Sequence, residues 1–145
     1  RTSKIADRTV TIGNDVWKKG AAVRGNMIDD ALGNNLGHNF PVIDKLENGV
    51  ITRIKSMDLN APSYQTAKGV YNKLRRDVDE LDNFRRKNWN GKKVNENDYW
   101  SKKLEIAIQD MKITAEQRSG IEMVREYAKE KGIMGLSKGP SSKTL

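Results

Sequence analysis

The sequence predicts an α/β domain in which a central mixed β-sheet is flanked by helices. Three observations carry that expectation. Asn48-Gly49 lies between two apolar runs, and a two-residue type I′ hairpin turn needs positive φ at both central positions, which these residue types tolerate best. Tyr64, Ala67, Val70, Tyr71, Leu74, Val78 and Leu81 recur at three-four spacing, the stripe of an amphipathic helix. Lys102 to Ile108 alternates like a strand buried on one face, and Thr114-Ala115-Glu116-Gln117 then has capping-box spacing ahead of Ile121, Val124 and Ala128. Strands and helices in this order build a layered α/β fold.

With 145 residues the chain is long enough for one domain with a real core. Residues 1–20 are expected to be an N-terminal extension, poorly ordered or a short helix packing on the domain, with Val10, Ile12, Val16 and Trp17 as its apolar anchors. Trp17 suits a core anchor better than a base-stacking platform. The domain proper is expected over 21–136, and SKGPSSKTL at 137–145 has the composition of a disordered tail. A start at Arg1 rather than Met fits a fragment of something longer.

From Ala21 to Leu32, Val23, Met27 and Ala31, with Ile28 and Leu32, follow helical spacing that Gly33 ends. GNNLGHN then predicts a loop. If Asn48-Gly49 is the turn, Glu47 faces Val50, Ile43 pairs with Ile54 and Asp44 with Arg53. Opposed residues share a face, as do residues two apart on one strand, so Asp44, Arg53 and Lys55 lie together and Asp29 leans over them from its helix. Pro62 suits the first turn of the next helix, whose polar side carries Lys68, Lys73, Arg75 and Arg76. Phe84 to Val94, FRRKNWNGKKV, is the densest basic segment: Arg85, Arg86, Lys87, Lys92 and Lys93 interleave with Phe84 and Trp89. It suits a loop that grips a phosphate backbone while a ring stacks on an unpaired base. The plainer alternative is a polar connection whose aromatics enter the core. Ile133 to Leu136 is expected to add a last short strand.

Charge narrows the partner. Twenty-seven Lys and Arg against 19 Asp and Glu leave +8, with a pI near 9.7, the footprint of a nucleic-acid binder and also a fit to an acidic protein. No cysteine is present, which excludes disulfides and thiolate zinc sites. No apolar run approaches the roughly 18 residues of a membrane span, and the N-terminus lacks a signal peptide's apolar region; no stable membrane association is expected. His38 is the only histidine, so a nucleophilic triad would have to use it. A solvated loop histidine is its default role, and a general base near phosphate the alternative.

Asp29, Asp44 and Lys55 together suggest metal-assisted phosphodiester cleavage. Carboxylates hold Mg²⁺ or Mn²⁺ jointly with substrate phosphate; Zn²⁺ is a further option. The ion acidifies an attacking water and neutralises charge on the phosphorus oxygens, and an adjacent lysine stabilises the anionic transition state. The plainer reading makes both aspartates solvated acids and Lys55 a strand-edge lysine.

RGNMID, LGNNL, NFPVIDKLENGVITRIKSMDL and SYQ, from Arg24 to Gln65, resemble the nuclease toxins at the C-termini of CdiA proteins, effectors of bacterial contact-dependent growth inhibition. KKLEIAIQD and AEQRSGIEMVREYAKEKG fit that resemblance more loosely. It implies a PD-(D/E)xK, restriction-endonuclease-like fold. It also implies Asp29 as the helix acid, Asp44 as the metal-binding aspartate and Lys55 as the catalytic lysine, with Asp29 and Asp44 as metal ligands. Arg53 departs from the pattern, standing where a full motif has an acid and relatives resemble SxK. Arg24, Arg53 and the cations from Arg85 to Lys93 are the expected nucleic-acid contacts. The resemblance further implies a larger secreted or cell-surface effector whose end acts in the cytoplasm of a target bacterium, and a cognate immunity protein. Transfer RNA is the favoured substrate, DNA the alternative. A basic nucleic-acid-binding module without catalysis, Arg53 marking a lost site, is the competing class.

Overall fold

The computed structural model describes residues 14–138. A 3-10 turn at Asn14–Lys18 precedes α1 (Ala21–Ala31), the strands β1 (Lys45–Glu47) and β2 (Val50–Ser56), and α2 (Ala67–Asn83). Then come β3 (Lys87–Trp89), β4 (Lys92–Val94), β5 (Ser101–Ala107), α3 (Ala115–Glu130) and β6 (Met134–Lys138). The main sheet has the order β1-β2-β5-β6, with β1 antiparallel to β2 and the other neighbours parallel. The mixed sheet expected from the sequence is therefore present.

The β1-β2 turn forms as the residue types dictate. Glu47 pairs with Val50, and Asn48 and Gly49 take φ of 52° and 75°, the I′ geometry. Gly49 is required for a second reason: a Cβ there would lie 2.1 Å from the Trp100 ring, which rests on the turn.

Side-chain alternation along β2 and β5 divides the interior. Ile51, Leu104 and Ile106 meet Val70, Leu74, Val78 and Leu81 of α2 and Ile121, Val124 and Ala128 of α3 in the main core. Ile54 and Ala107 instead meet Val16, Ile28 and Leu32 in a smaller cluster under α1. The inward stripe of α1 is thus Ile28 and Leu32, four residues apart. Val23 and Met27, which shared in the helical spacing that predicted α1, are 53% and 40% exposed. Val16 is buried, with Trp17 packed against the same cluster; Val10 and Ile12 lie outside the described residues.

Helix ends are satisfied by side chains. Thr114 Oγ1 accepts from Gln117 N while Gln117 Oε1 accepts from Thr114 N, both at 3.1 Å, the capping box anticipated from the sequence. Lys102 Nζ donates to the carbonyls of Leu81, Asp82 and Phe84 at 2.9 Å each, placing a cation on the negative end of α2. Burial and the nearby Arg85 lower the Lys102 pKa.

Three expectations change. Pro62 opens a separate 3-10 turn, Pro62–Tyr64, and α2 begins at Ala67 behind the Thr66 cap. The physical reason is competition for carbonyls: Gln117 Nε2 donates to Leu59 O and Tyr64 O, and Gln65 Nε2 to Leu59 O and Ala61 O. The SYQ stretch is thereby tied to α3, and Tyr64 packs half-buried on the main core. The basic segment is a β3-β4 hairpin rather than a loop, with Asn90 and Gly91 at φ 54° and 81° in its turn. Finally, β6 includes Ser137 and Lys138, which the sequence assigned to the tail.

Candidate active site

The end of the β1-β2 hairpin, the face of α1 and the middle of α2 surround a cleft of about 360 Å³, within the size range of small-ligand sites. Asp29, Asp44, Lys55, Arg24 and Arg53 all line it, together with His38, Ser56 and Lys73. The structure thus brings the two aspartates and the lysine together. Four lysine and arginine side chains face two carboxylates there, a surplus suited to a polyanion.

Each group is placed by its own element. Burial of Ile28 fixes the rotation of α1 and leaves Asp29 beside it, half-buried over the hairpin. Burial first, and the Asp44 carboxylate second, push the Asp29 pKa up to about 7. Asp44 is raised as well, chiefly by burial, against the lowering effect of the Ile54 N–H, Lys55 and Arg53. Two half-buried carboxylates, each pushed up chiefly by burial, meet the electrostatic condition a bound cation relieves.

The ladder breaks at Asp44. Lys45 still pairs with Thr52, but Asp44 N donates to Thr52 O at 2.8 Å and Asp44 Oδ2 accepts from Ile54 N at 2.7 Å. The carboxylate takes the place that continued register would give the Ile43 carbonyl. Just upstream, Val42 has φ 68° inside a three-residue turn closed by Ile43 N donating to Pro41 O at 2.8 Å. A β-branched residue at positive φ is strained, at a cost of about 1–3 kcal/mol.

The expected pairings of Ile43 with Ile54 and Asp44 with Arg53 do not form, since the ladder ends at Lys45 and Thr52, and Arg53 turns away from Asp44. Its Nε and Nη2 donate to Asp77 Oδ1 at 3.3 and 3.2 Å, and its Nη1 donates to Val42 O at 2.7 Å. Asp77 is buried on α2 and also accepts from Lys73 Nζ at 2.8 Å.

On the opposite wall, Arg24 Nε donates to Ser56 Oγ at 3.3 Å, and its guanidinium lies 5.5 Å from the Trp17 ring centroid. His38 Nε2 lies 2.7 Å from Asp30 Oδ1, and that hydrogen bond is the main cause of its raised pKa. Sequence reasoning weighed His38 only as an alternative general base and placed Lys73 on the polar side of its helix, and it left out Ser56 and Asp77. Lys73 carried a usable signal, lying four residues before the only acid on the inward stripe of α2; Ser56 and Asp77 were invisible to local pattern.

The remaining expected contacts lie elsewhere. Phe84 is buried, whereas Trp89 on the β3-β4 hairpin is 44% exposed with Lys87 Nζ 5.8 Å from its ring centroid. Lys87 and Lys93 with Arg86 line a shallow groove on that hairpin, and Arg86 also pairs with Glu96 at 3.2 Å. Arg85 Nη1 donates to Asp82 O and Phe84 O. Lys92 is exposed opposite Trp89. From Lys73 to Phe84 the α2 axis advances about 16 Å, so the hairpin and the cleft are separate surfaces.

No group of three or more His, Cys, Asp or Glu close enough to hold a metal ion occurs among the described residues. Asp29 and Asp44 still fit a hard divalent cation, because such an ion uses one or two carboxylates and completes its shell with carbonyls, waters and substrate oxygens.

A hairpin bearing an acid and a lysine, set in a mixed sheet beneath a helix bearing a second acid, defines the restriction-endonuclease-like class. The chain belongs to the family described as the CDI toxin restriction endonuclease-like domain, whose model matches residues 24–135. In structure it is similar to a chain of the CdiA-CT/CdiI toxin and immunity complex from Yersinia pseudotuberculosis, at 21% identity and a TM-score of 0.63. That match covers 76% of this chain and 94% of the other. No curated protein matches.

Proposed function

We propose that this domain is a metal-dependent endonuclease toxin. One observation carries the reading: Asp29, Asp44 and Lys55 converge in a cation-lined cleft where burial and the Asp44 carboxylate push Asp29 up. Asp29 and Asp44 would hold the divalent ion, which supplies charge neutralisation at phosphorus and an acidified water. Lys55 opposes the charge that builds on the non-bridging oxygens. Arg24 and Lys73, on opposite walls, orient the phosphate backbone for in-line attack. His38, held by Asp30 with its pKa raised by that hydrogen bond, adds a titratable group to the lining.

Two substrates remain in view. The β3-β4 segment is a two-stranded ribbon carrying Lys87, Lys92 and Lys93, a shape the major groove of duplex DNA admits. Burial of Phe84 leaves one exposed ring on this segment, which weakens the sequence-based preference for tRNA. Exposed Trp89 still favours an unpaired base, so tRNA stays as the second reading. A duplex that reached both surfaces would cover about five base pairs at 3.4 Å each.

The toxin–immunity complex of the structural neighbour supports a cognate immunity protein for this chain also, acting where the domain is made, with delivery by a larger effector into a target cytoplasm. No helix among the described residues is long and apolar enough to cross a membrane.

The test incubates the purified domain with plasmid DNA and with total tRNA, adding Mg²⁺, Mn²⁺, Zn²⁺ or EDTA. Cleavage of one substrate, lost with EDTA and in Asp44→Asn, is the expected result. Asn keeps an oxygen for Ile54 N and removes the charge, so loss of activity without loss of fold separates chemistry from structure. Absence of cleavage with every metal leaves the non-catalytic binding module.

A further inference from the structure

The sequence placed Arg53 among the nucleic-acid contacts, and its motif position normally carries an acid. Its surroundings are those of a structural group. The side chain is 12% exposed and its partner Asp77 is 3% exposed, and its guanidinium is engaged by Asp77 and by the Val42 carbonyl. That carbonyl belongs to the residue with φ 68°, two positions before Asp44.

We infer that Arg53, seated on Asp77, is a positioning residue that clamps the strained turn at Val42 and thereby fixes the Asp44 carboxylate in the cleft. The path is short. Asp77 Oδ1 orients the guanidinium, and Nη1 donates to Val42 O at 2.7 Å, the shortest of its contacts. The turn so held is closed by Ile43 N on Pro41 O, and Asp44 leaves it with Oδ2 on Ile54 N. Asp77 has a second consequence. By drawing Arg53 across to α2 it keeps the guanidinium from pairing with Asp44, which lies just beyond the last ladder pair, Lys45 and Thr52. A carboxylate already bound to arginine makes a poor cation ligand, because the ion would have to displace a charge-assisted pair. Arg53 is thus compatible with a working site because Asp77 neutralises it from behind. Lys73, on the same carboxylate at 2.8 Å, stays at the cleft wall.

This deepens the proposed function, on which its catalytic readout rests, while its structural readout does not. Amide hydrogen exchange at Ile43 and Ile54 is measured in wild type, R53Q, V42G and R53Q/V42G, beside Mn²⁺-dependent cleavage kinetics. Loss of the clamp is expected to speed exchange at both amides by about tenfold or more, the worth of a charge-assisted hydrogen bond, with Leu104 on β5 unchanged. In the V42G background the same R53Q change should accelerate them less, because glycine holds positive φ without strain. In cleavage, R53Q should lower kcat by about 10–100-fold, as loss of an outer-shell partner does, with KM and the salt dependence unaltered. Unchanged exchange, or equal acceleration in both backgrounds, overturns the clamp. A raised KM and a flattened salt slope with kcat intact would instead make Arg53 a substrate contact. If R53Q does not fold, Asp77→Asn keeps the side-chain shape, removes the charge and carries the same readouts. A wild type that cuts nothing refutes the proposed function, and the exchange rates still decide this inference.

Discussion

At the scale of single residues, the pair Asp29 and Asp44 links stability to function. The Asp29 pKa is about 7 in the folded protein against an ordinary 3.8, so the native state keeps a proton that the unfolded chain has released. Stability therefore falls as pH rises from about 4 to about 7, and the full cost is felt above that window. Asp29→Asn should stabilise the ion-free protein by on the order of 1–2 kcal/mol at pH 8, a figure discounted for partial exposure, and by almost nothing near pH 3. Thermal melts of both proteins at the two pH values check this. Mn²⁺ should raise the wild-type Tm at pH 8 more than that of the variant, since a ligand stabilises the state that binds it. A gain from Asp29→Asn that is equal at pH 3 and pH 8 would show that Asp29 titrates normally. The spacing about an Asn-Gly turn suggested that Asp29, Asp44 and Lys55 meet, and the family resemblance supplied their expected roles. The Val42 turn was not, because Phe40-Pro41-Val42 holds no residue that prefers positive φ, and the conformation is imposed by Arg53 from outside the segment.

At the scale of elements, α2 and α3 approach closely at Gly120. A Cβ there would lie 2.6 Å from Ala67 O and 2.8 Å from Val70 Cβ. Alanine is the better helix former by about 1 kcal/mol, yet overpacking costs about 1–3 kcal/mol, and α2 must also give way at its backbone. Gly120→Ala should therefore lower the denaturation midpoint, and an unchanged midpoint would show that α3 shifts freely. For the β3-β4 hairpin, replacing Lys87, Lys92 or Lys93 with Ala should flatten log affinity against log salt by about 0.7–0.9 per lost phosphate contact. An unchanged slope in all three variants would remove the hairpin from the nucleic-acid surface. Its two strands were within reach of the sequence, since Asn90-Gly91 is the signal that located the β1-β2 turn. Density of charge hid it: KNW and KKV lack the apolar alternation by which a half-buried strand is recognised, and both strands are exposed except at Val94. The capping box at Thr114 was legible because it is local. The turn at Pro62 was not, because Gln117 imposes it from 53 residues away.

For the whole molecule, a net charge of +8 favours an acidic immunity protein with fast, electrostatically steered association. If that partner occludes the cleft or the groove beside it, its binding and that of nucleic acid are mutually exclusive. A competition titration should show one complex replacing the other, and a stable ternary complex with cleavage still blocked would point to a remote interface. Strand order lay beyond the sequence because parallel pairing joins residues far apart in the chain: Val50 meets Ser101 and Ser56 meets Ala107. That pairing has a consequence for biosynthesis. Every proposed ligand and catalytic group lies within 29–55, so the ribosome delivers the complete set long before the strand that holds β2 from its other side. A nascent chain stalled short of β5 would carry all of the proposed chemistry on a hairpin that lacks its parallel neighbour, and two-stranded sheets are marginal in water. The order of the strands thus predicts latency during translation. Chains released at residue 95 should be inert where the full chain cuts, and activity in such a fragment would show that the hairpin and α1 suffice.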